Sequence, residues 1–193
     1  ALKYLAQGYS VLPVLPGDKR PAMEWKRFQE EYASDEEVKQ WWQKWPDANI
    51  GTPLGGGRFA LDIDPRAGGD DTLFALERQY GPLTHTLMSH TGGGGNHYIY
   101  LEPASGILNK AQVGQGIDVQ GLGSYIILPP SIHPDTGKTY AWDVVDGPDD
   151  IEPQPAPDWL LALLTVPAGQ GGQPAKAVAA PGAPIPLGIQ ENT

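Results

Sequence analysis

Two aspartates, Asp62 and Asp64, stand inside the apolar run Phe59-Ala-Leu-Asp-Ile-Asp64. Strands are depleted in Asp and an unpartnered buried charge is expensive, so something has to neutralise these carboxylates. Residues two apart on a strand point to the same face. Asp62 and Asp64 therefore project together, while Leu61 and Ile63 enter the core on the other side. Two carboxylates a few ångströms apart repel, and a divalent cation relieves the repulsion. Oxygen ligands in a chain without cysteine favour Mg²⁺ or Mn²⁺. Two solvated aspartates on a surface strand are the other reading of the same spacing.

A third carboxylate, Asp118, lies between Ile117 and Val119 and is bounded by Gly116 and Gly121. Alone it reads as an edge or turn residue. Beside Asp62 and Asp64 it completes a set of three, which can hold two metal ions. Two ions about 3.5–4 Å apart are a standard device for in-line displacement at phosphorus. Four glycines, Gly92 to Gly95, precede Asn96 and His97. Glycines let backbone N–H groups approach an anion closely, and His97 at a strand start can donate to a phosphate oxygen. A loose hairpin loop with a half-exposed histidine is the competing reading. Familiar nucleotide motifs are absent. Gly137-Lys138-Thr139 lacks the first P-loop glycine, because Ile132 stands there, and no G-x-G-x-x-G joins a strand to a helix.

These residues need elements to hold them. The pattern predicts a short helix from Leu2 to Gly8, an extended Pro-marked segment over Tyr9–Pro16, and a turn-rich loop carrying Lys19 and Arg20. Ser34 with Glu37 forms a capping box that opens a helix running to about Trp45, ended by Pro46. The Asn49–Gly57 stretch reads as a lead-in to a strand over Arg58–Asp64. A second helix follows and closes at Gly81. Strands are expected at His85–Thr91, Asn96–Leu101, Gly116–Gly121 and Ser124–Pro130, with a last one after the turn at Pro134–Gly137. Asp158 starts a short final helix. From Pro167 onward the chain is rich in Ala, Gly, Pro and Gln, and reads as a linker. The expected organisation is a folded domain over 1–166 and a flexible tail over 167–193, with no repeat. The class is α/β or α+β, a helix-flanked, mostly antiparallel sheet.

Composition narrows the functions. The 193 residues are 40% hydrophobic, enough for a real core. Thirteen basic against 23 acidic side chains give a net charge of −10, which argues against a broad basic nucleic-acid surface but leaves room for a local groove. No cysteine means no disulfide and no thiolate metal site. No apolar run reaches the roughly 18 residues of a membrane span, and no signal peptide opens the chain, so a cytoplasmic location is expected. The chain begins abruptly in a helical pattern and reads as a piece of a longer protein.

The order of Asp-x-Asp, glycine loop with histidine, and third aspartate resembles the archaeo-eukaryotic primase superfamily. More narrowly, it resembles the bifunctional primase/polymerase (Prim-Pol) N-terminal domain of plasmid, phage and mobile-element replication proteins. Gly17, Lys19 and Pro21 with Trp25 are similar to an early G-x-K-x-P…W signature, and Asp35–Gly51 to an acidic helix ending in Trp-Trp and Asn-Ile-Gly. Leu61–Asp64 is similar to motif I, Gly92–Tyr100 to motif II, and Gly116–Trp142 to motif III. The resemblance covers most of residues 1–165. It implies a small α/β unit joined to an RRM-like sheet with the active site between them. It makes Asp62, Asp64 and Asp118 the ligands of two Mg²⁺ or Mn²⁺ ions, and His97 a contact to the incoming nucleotide's phosphates. Asn96, Gly95, Ser131, His133 and Lys138 fall in matched motifs as nucleotide-binding candidates. Motif II usually carries a serine where Gly95 stands here, so that phosphate contact would come from backbone amides or from Asn96.

The implied activity is template-directed nucleotidyl transfer from dNTP or NTP onto a primer or a first nucleotide, on single-stranded DNA, in replication or repair. Further helical or helicase domains in a parent chain are expected. Lys19, Arg20, Lys26, Arg27, Arg58, Arg66, Lys110 and Lys138 are candidate phosphate contacts, most of them equally readable as solvated surface cations. Two alternatives remain. A metal-dependent nuclease or phosphodiesterase could use the same carboxylates, and a non-catalytic replication initiator could bind single-stranded DNA. A nicking initiator's His-hydrophobic-His motif is missing, because Tyr98 and Ile99 follow His97.

Overall fold

A computed structural model describes residues 1–104, 106–107 and 112–164. The expected tail over 167–193 and the candidate Lys110 lie outside the described residues. The chain runs α1 (Leu2–Ala6), β1 (Leu12–Val14), α2 (Asp35–Lys44), β2 (Asn49–Pro53), β3 (Arg58–Ile63), α3 (Gly69–Tyr80), β4 (Leu87–His90), β5 (Asn96–Leu101), β6 (Gln112–Gly114), β7 (Ile117–Gln120), β8 (Tyr125–Leu128), β9 (Ala141–Trp142), β10 (Gln154–Pro155) and α4 (Asp158–Leu164). Two short 3₁₀ turns, Lys26–Gln29 and Pro65–Ala67, interrupt the loops. The class is mixed α/β, with two antiparallel sheets and few helices.

The smaller sheet has the order β1-β2-β8 and the larger β6-β7-β3-β5-β4-β9, with β10 alongside β5 as the only parallel pair among the described strands. Alternation along β3 decides where each face goes. Phe59, Leu61 and Ile63 join Tyr100, Ile117 and Val119 in a core covered by Leu73 and Leu76 of α3 and Leu160 of α4. Ala60, one step out of phase, faces the other way and packs with Leu87 and Ile99 against Ile50, Ile126 and Leu128 of the smaller sheet. Burying each such aliphatic side chain contributes about 1.5–3 kcal/mol. β3 is thus buried on both faces, except where Asp62 interrupts the inner one. That interruption marks the place where the two sheets part.

The α2 capping box forms as expected: Ser34 Oγ accepts from the Glu37 amide at 3.2 Å, and Glu37 Oε2 accepts from the Ser34 amide at 2.9 Å. Asp35, Glu36 and Glu37 stand in its first turn and Lys44 in its last, each favourable to the helix dipole. β2 departs from the sequence expectation. The stretch reads as a lead-in to β3, yet Asn49–Pro53 is a strand of its own, with all five residues buried between β1 and β8. Gly51 is needed there because a Cβ would stand 2.9 Å from Leu12 Cδ1. Pro53 ends the strand, where a missing N–H costs little. No described helix is long and apolar enough to cross a membrane.

Candidate active site between the two sheets

The register of the larger sheet places the motif residues in one row. Asp62 pairs directly with Asp118 on one side and with His97 on the other, and His97 pairs in turn with Ser89. Directly opposed residues share a face, so this row lies on the inner face of the sheet, at its open end. Asp64, just past β3, lines the same polar hollow as Asp62, Asp118, His97, Gly95, Lys19, Arg66, Thr91, His133 and Tyr140. The hollow has a volume of about 110 Å³. A second hollow of about 180 Å³ shares Lys19, Asp62, His97 and Tyr140 with it and continues to Gln120, Tyr125, Ile126 and Ile127. The cleft therefore has a charged lobe and a more apolar lobe, with Asp62 and His97 between them. Two larger hollows, of about 550 and 390 Å³, lie against α1 and contain none of these residues.

The three carboxylates differ in their surroundings. No hydrogen bond from a described residue reaches the Asp62 carboxylate, and the His97 ring nitrogen Nε2 lies 3.7 Å from its Oδ1. Burial raises its pKa; His97 and Lys19 oppose the rise, while Asp118 and Asp64 add to it. Asp118 is exposed at the neighbouring position. Asp64 is already partnered. Its Oδ1 accepts from Arg66 Nε at 3.1 Å and from the Arg66 amide at 3.0 Å, and its Oδ2 accepts from Nη2 at 3.2 Å. Those donors, the Arg66 side chain first, hold its pKa below the ordinary carboxylate value.

Among the described residues no three His, Asp or Glu side chains converge closely enough to hold a metal ion as they stand. The donor chemistry nevertheless fits Mg²⁺ or Mn²⁺. The ligands would be hard carboxylate oxygens, and Asp62 is a desolvated anion without a donor, beside a second carboxylate. Asp62, Asp118 and Asp64 are the residues that would hold such ions.

His97 is buried, not half-exposed. Desolvation lowers its pKa, so it is neutral at pH 7. No described residue hydrogen-bonds its Nδ1 or the buried Ser89 Oγ on the neighbouring strand. Tyr140 packs beside both histidines, with ring centroids 6.2 Å from His97 and 6.0 Å from His133. Burial pushes its phenol up to about 12. His133 is buried in the lobe wall, and its Nδ1 accepts from the Asp135 amide at 3.2 Å.

The glycine loop explains its own sequence. A Cβ on Gly95 would lie 2.3 Å from the Ile63 carbonyl oxygen, so a serine has no room there. The same Cβ would lie 3.3 Å from Thr91 Oγ1, so a hydroxyl does stand beside the position, carried by Thr91. The Gly95 amide donates to that hydroxyl at 2.9 Å, and the Gly94 amide to the Thr91 carbonyl at 3.0 Å. Both are committed to the turn. Asn96 is one step out of phase with His97 and contacts His90 Nδ1 at 2.7 Å, outside the cleft. Ser131 is buried, and its hydroxyl accepts from the Ile50 amide at 2.9 Å. Lys138 is exposed; neither it nor Ser131 lines either lobe.

Of the candidate cations, Lys19 and Arg66 line the charged lobe. The loop of Lys19 is held by the Tyr125 hydroxyl, which donates to the Lys19 carbonyl, and by Asp18, which accepts from the Lys19 and Arg20 amides. Arg20 pairs with Asp18, Arg27 with Glu37 and Glu31, and Arg58 with the Gly8 carbonyl over the Tyr9 ring. Thr91, Tyr140, Gln120 and Tyr125 escaped the sequence reading. Tyr140 and Tyr125 lie within the motif III stretch, but nothing in their spacing separates them from core aromatics.

Comparison with known proteins gives one family. The model of the bifunctional DNA primase/polymerase N-terminal domain matches residues 1–159. A comparison with curated proteins finds no match.

Proposed function

The chain belongs to the bifunctional DNA primase/polymerase N-terminal family, and from that premise we propose that its cleft carries out template-directed nucleotidyl transfer with two bound Mg²⁺ or Mn²⁺ ions. The observation that carries this reading is the cross-strand row Asp118–Asp62–His97 on the floor of a polar lobe that also contains Lys19 and Arg66. When bound at Asp62, Asp64 and Asp118, the ions would supply charge neutralisation at the triphosphate and a lowered pKa for the attacking hydroxyl. The 3′-hydroxyl oxygen bonds to the α-phosphorus of a dNTP or NTP and gives its proton to water, while the bond from that phosphorus to the α–β bridging oxygen breaks and pyrophosphate leaves with the electron pair.

The chain's own residues orient this exchange. Neutral His97, with its proton on Nε2, donates to a phosphate oxygen. Lys19 and Arg66 offset the triphosphate's charge. The more apolar lobe, with Tyr125, Ile126, Ile127 and Gln120, receives the nucleoside. Single-stranded DNA serves as template, and helical or helicase domains of a parent chain would assist.

The test is a gel assay with a primed single-stranded template, labelled dNTP and Mn²⁺, repeated with NTP on an unprimed template. Primer extension is expected, and Asp62→Asn or Asp118→Asn should reduce it at least a hundredfold while the protein stays folded. Shortening of the DNA without nucleotide would make the cleft a nuclease. Binding without either reaction would make it an initiator module.

A further inference from the structure

We infer that Arg66 is an exchangeable counter-ion, which neutralises Asp64 while the cleft holds no nucleotide and passes to the phosphates of an incoming triphosphate as a divalent cation takes Asp64. The inference rests on the nucleotidyl-transfer reading of the cleft and adds a step to it. Among the described residues, Asp64 alone of the three carboxylates is gripped by an arginine or lysine, through Nε at 3.1 Å and Nη2 at 3.2 Å. As long as that grip persists, both Asp64 oxygens are occupied and the ligand set is incomplete.

The grip is built to be given up. Arg66 is 60% exposed and Asp64 40%, and an ion pair that open to water is worth about fivefold or less in equilibrium. The local turn does not depend on the guanidinium, because the Arg66 amide caps it independently through Asp64 Oδ1 at 3.0 Å. The destination is close. Arg66 lines the charged lobe beside Lys19, and its Nη2 lies 3.4 Å from the point where a Cβ on Gly93 would project. The guanidinium thus already rests against the glycine loop. Its planar fork suits phosphate as well as carboxylate, so it trades one bidentate partner for another. Without the exchange, a cation arriving at Asp64 would meet an arginine at the same oxygens.

The exchange makes opposite predictions for two ligands. Arg66→Gln keeps the backbone amide cap and removes the charge. Mn²⁺ titrated into the nucleotide-free variant, with free ion read by electron paramagnetic resonance, should bind about two- to fivefold tighter than to the unmodified protein. A non-hydrolysable deoxynucleoside triphosphate analogue with Mn²⁺, followed by calorimetry, should bind at least tenfold more weakly. Arg66→Lys should move both quantities part of the way back. Unchanged or weaker Mn²⁺ affinity in Arg66→Gln overturns the exchange, as does unchanged affinity for the analogue. Asp62→Asn and Asp118→Asn, measured alongside, separate the two levels. If both bind Mn²⁺ as the unmodified protein does, the reading of the cleft itself fails. If both lose Mn²⁺ while Arg66→Gln behaves normally, only the exchange fails.

Discussion

Glycine at position 95 is a matter of space. The Ile63 carbonyl oxygen occupies the volume of any side chain there, and that oxygen belongs to the backbone of the strand that carries Asp62. Relief would have to come from moving the main chain of β3 or the loop, because no flexible side chain end is available to shift. Gly95→Ala should therefore destabilise the domain by about 1–3 kcal/mol, the usual range for forcing atoms into a packed site. The shift would also disturb Thr91, whose hydroxyl accepts from the Gly95 amide. Thermal or urea unfolding measures the loss. A variant as stable as the parent would show that the loop is loose and that the serine-to-glycine departure has no steric cause. His97 and Ser89 illustrate a different residue-scale lesson. Each buries a polar atom that no described residue partners, although the two stand directly opposed on the sheet.

Elements that carry local signals were legible; elements made by distant partners were not. The Ser34–Glu37 box, the alternation of Leu61 and Ile63 against Asp62, and the strand around Asp118 are all stated within a few residues. β2 carries no such signal and reads only as a lead-in to β3, because its strand character comes from pairing with the distant β1 and β8. β10 has two residues and pairs with Tyr100 and Leu101, where β5 runs on past its pairing with β4. The Arg66 grip on Asp64 was likewise invisible, since a neighbouring cation reads as a solvated surface charge until a rotamer is seen. The β9 turn allows a further prediction. Asp143 accepts from the Val145 and Asp146 amides at 2.8 and 3.0 Å and contacts His90 Nε2 at 2.9 Å, tying this turn to β4. The backbone donors, Val145 first, hold its pKa below the ordinary value. A carboxyl depressed in the folded state stabilises the fold above its unfolded pKa of about 3.9 and loses that contribution as pH falls through the folded value. Asp143→Ala should cost about 2 kcal/mol at pH 7, and the gap to the unmodified protein should narrow below about pH 4. Urea midpoints at pH 7 and pH 3 give the comparison. An equal gap at both would assign the loss to packing instead of charge.

At the scale of the whole molecule, a chain of net charge −10 has to hold polyanionic DNA. The sheets solve the local problem by gathering Lys19 and Arg66 at the cleft, with Arg20 on the same loop as Lys19, but two of these three already have carboxylate partners. Beyond a Debye length of about 8 Å at physiological salt, the surrounding acidic surface adds little repulsion; at low salt it reaches further and opposes the approach of a second anion. Salt therefore acts in two directions on binding. It weakens the few phosphate contacts by counterion release and also screens the repulsion. With about three contacts on a single strand, release alone gives a slope of log K against log salt near −2, and screening makes it shallower still. The isolated domain should bind single-stranded DNA in the weak, non-specific range, with Kd near or above about 10 µM at physiological salt. Fluorescence anisotropy with a labelled oligonucleotide at two salt concentrations gives both quantities. A slope near −2 or shallower, with weak affinity, would mean that template capture depends on surfaces beyond this cleft, such as a tethered domain that raises the effective DNA concentration. Tight binding with a steep slope would instead require a basic template-binding strip within the domain, one that the pairing of Arg20 and Arg66 with their own aspartates does not provide.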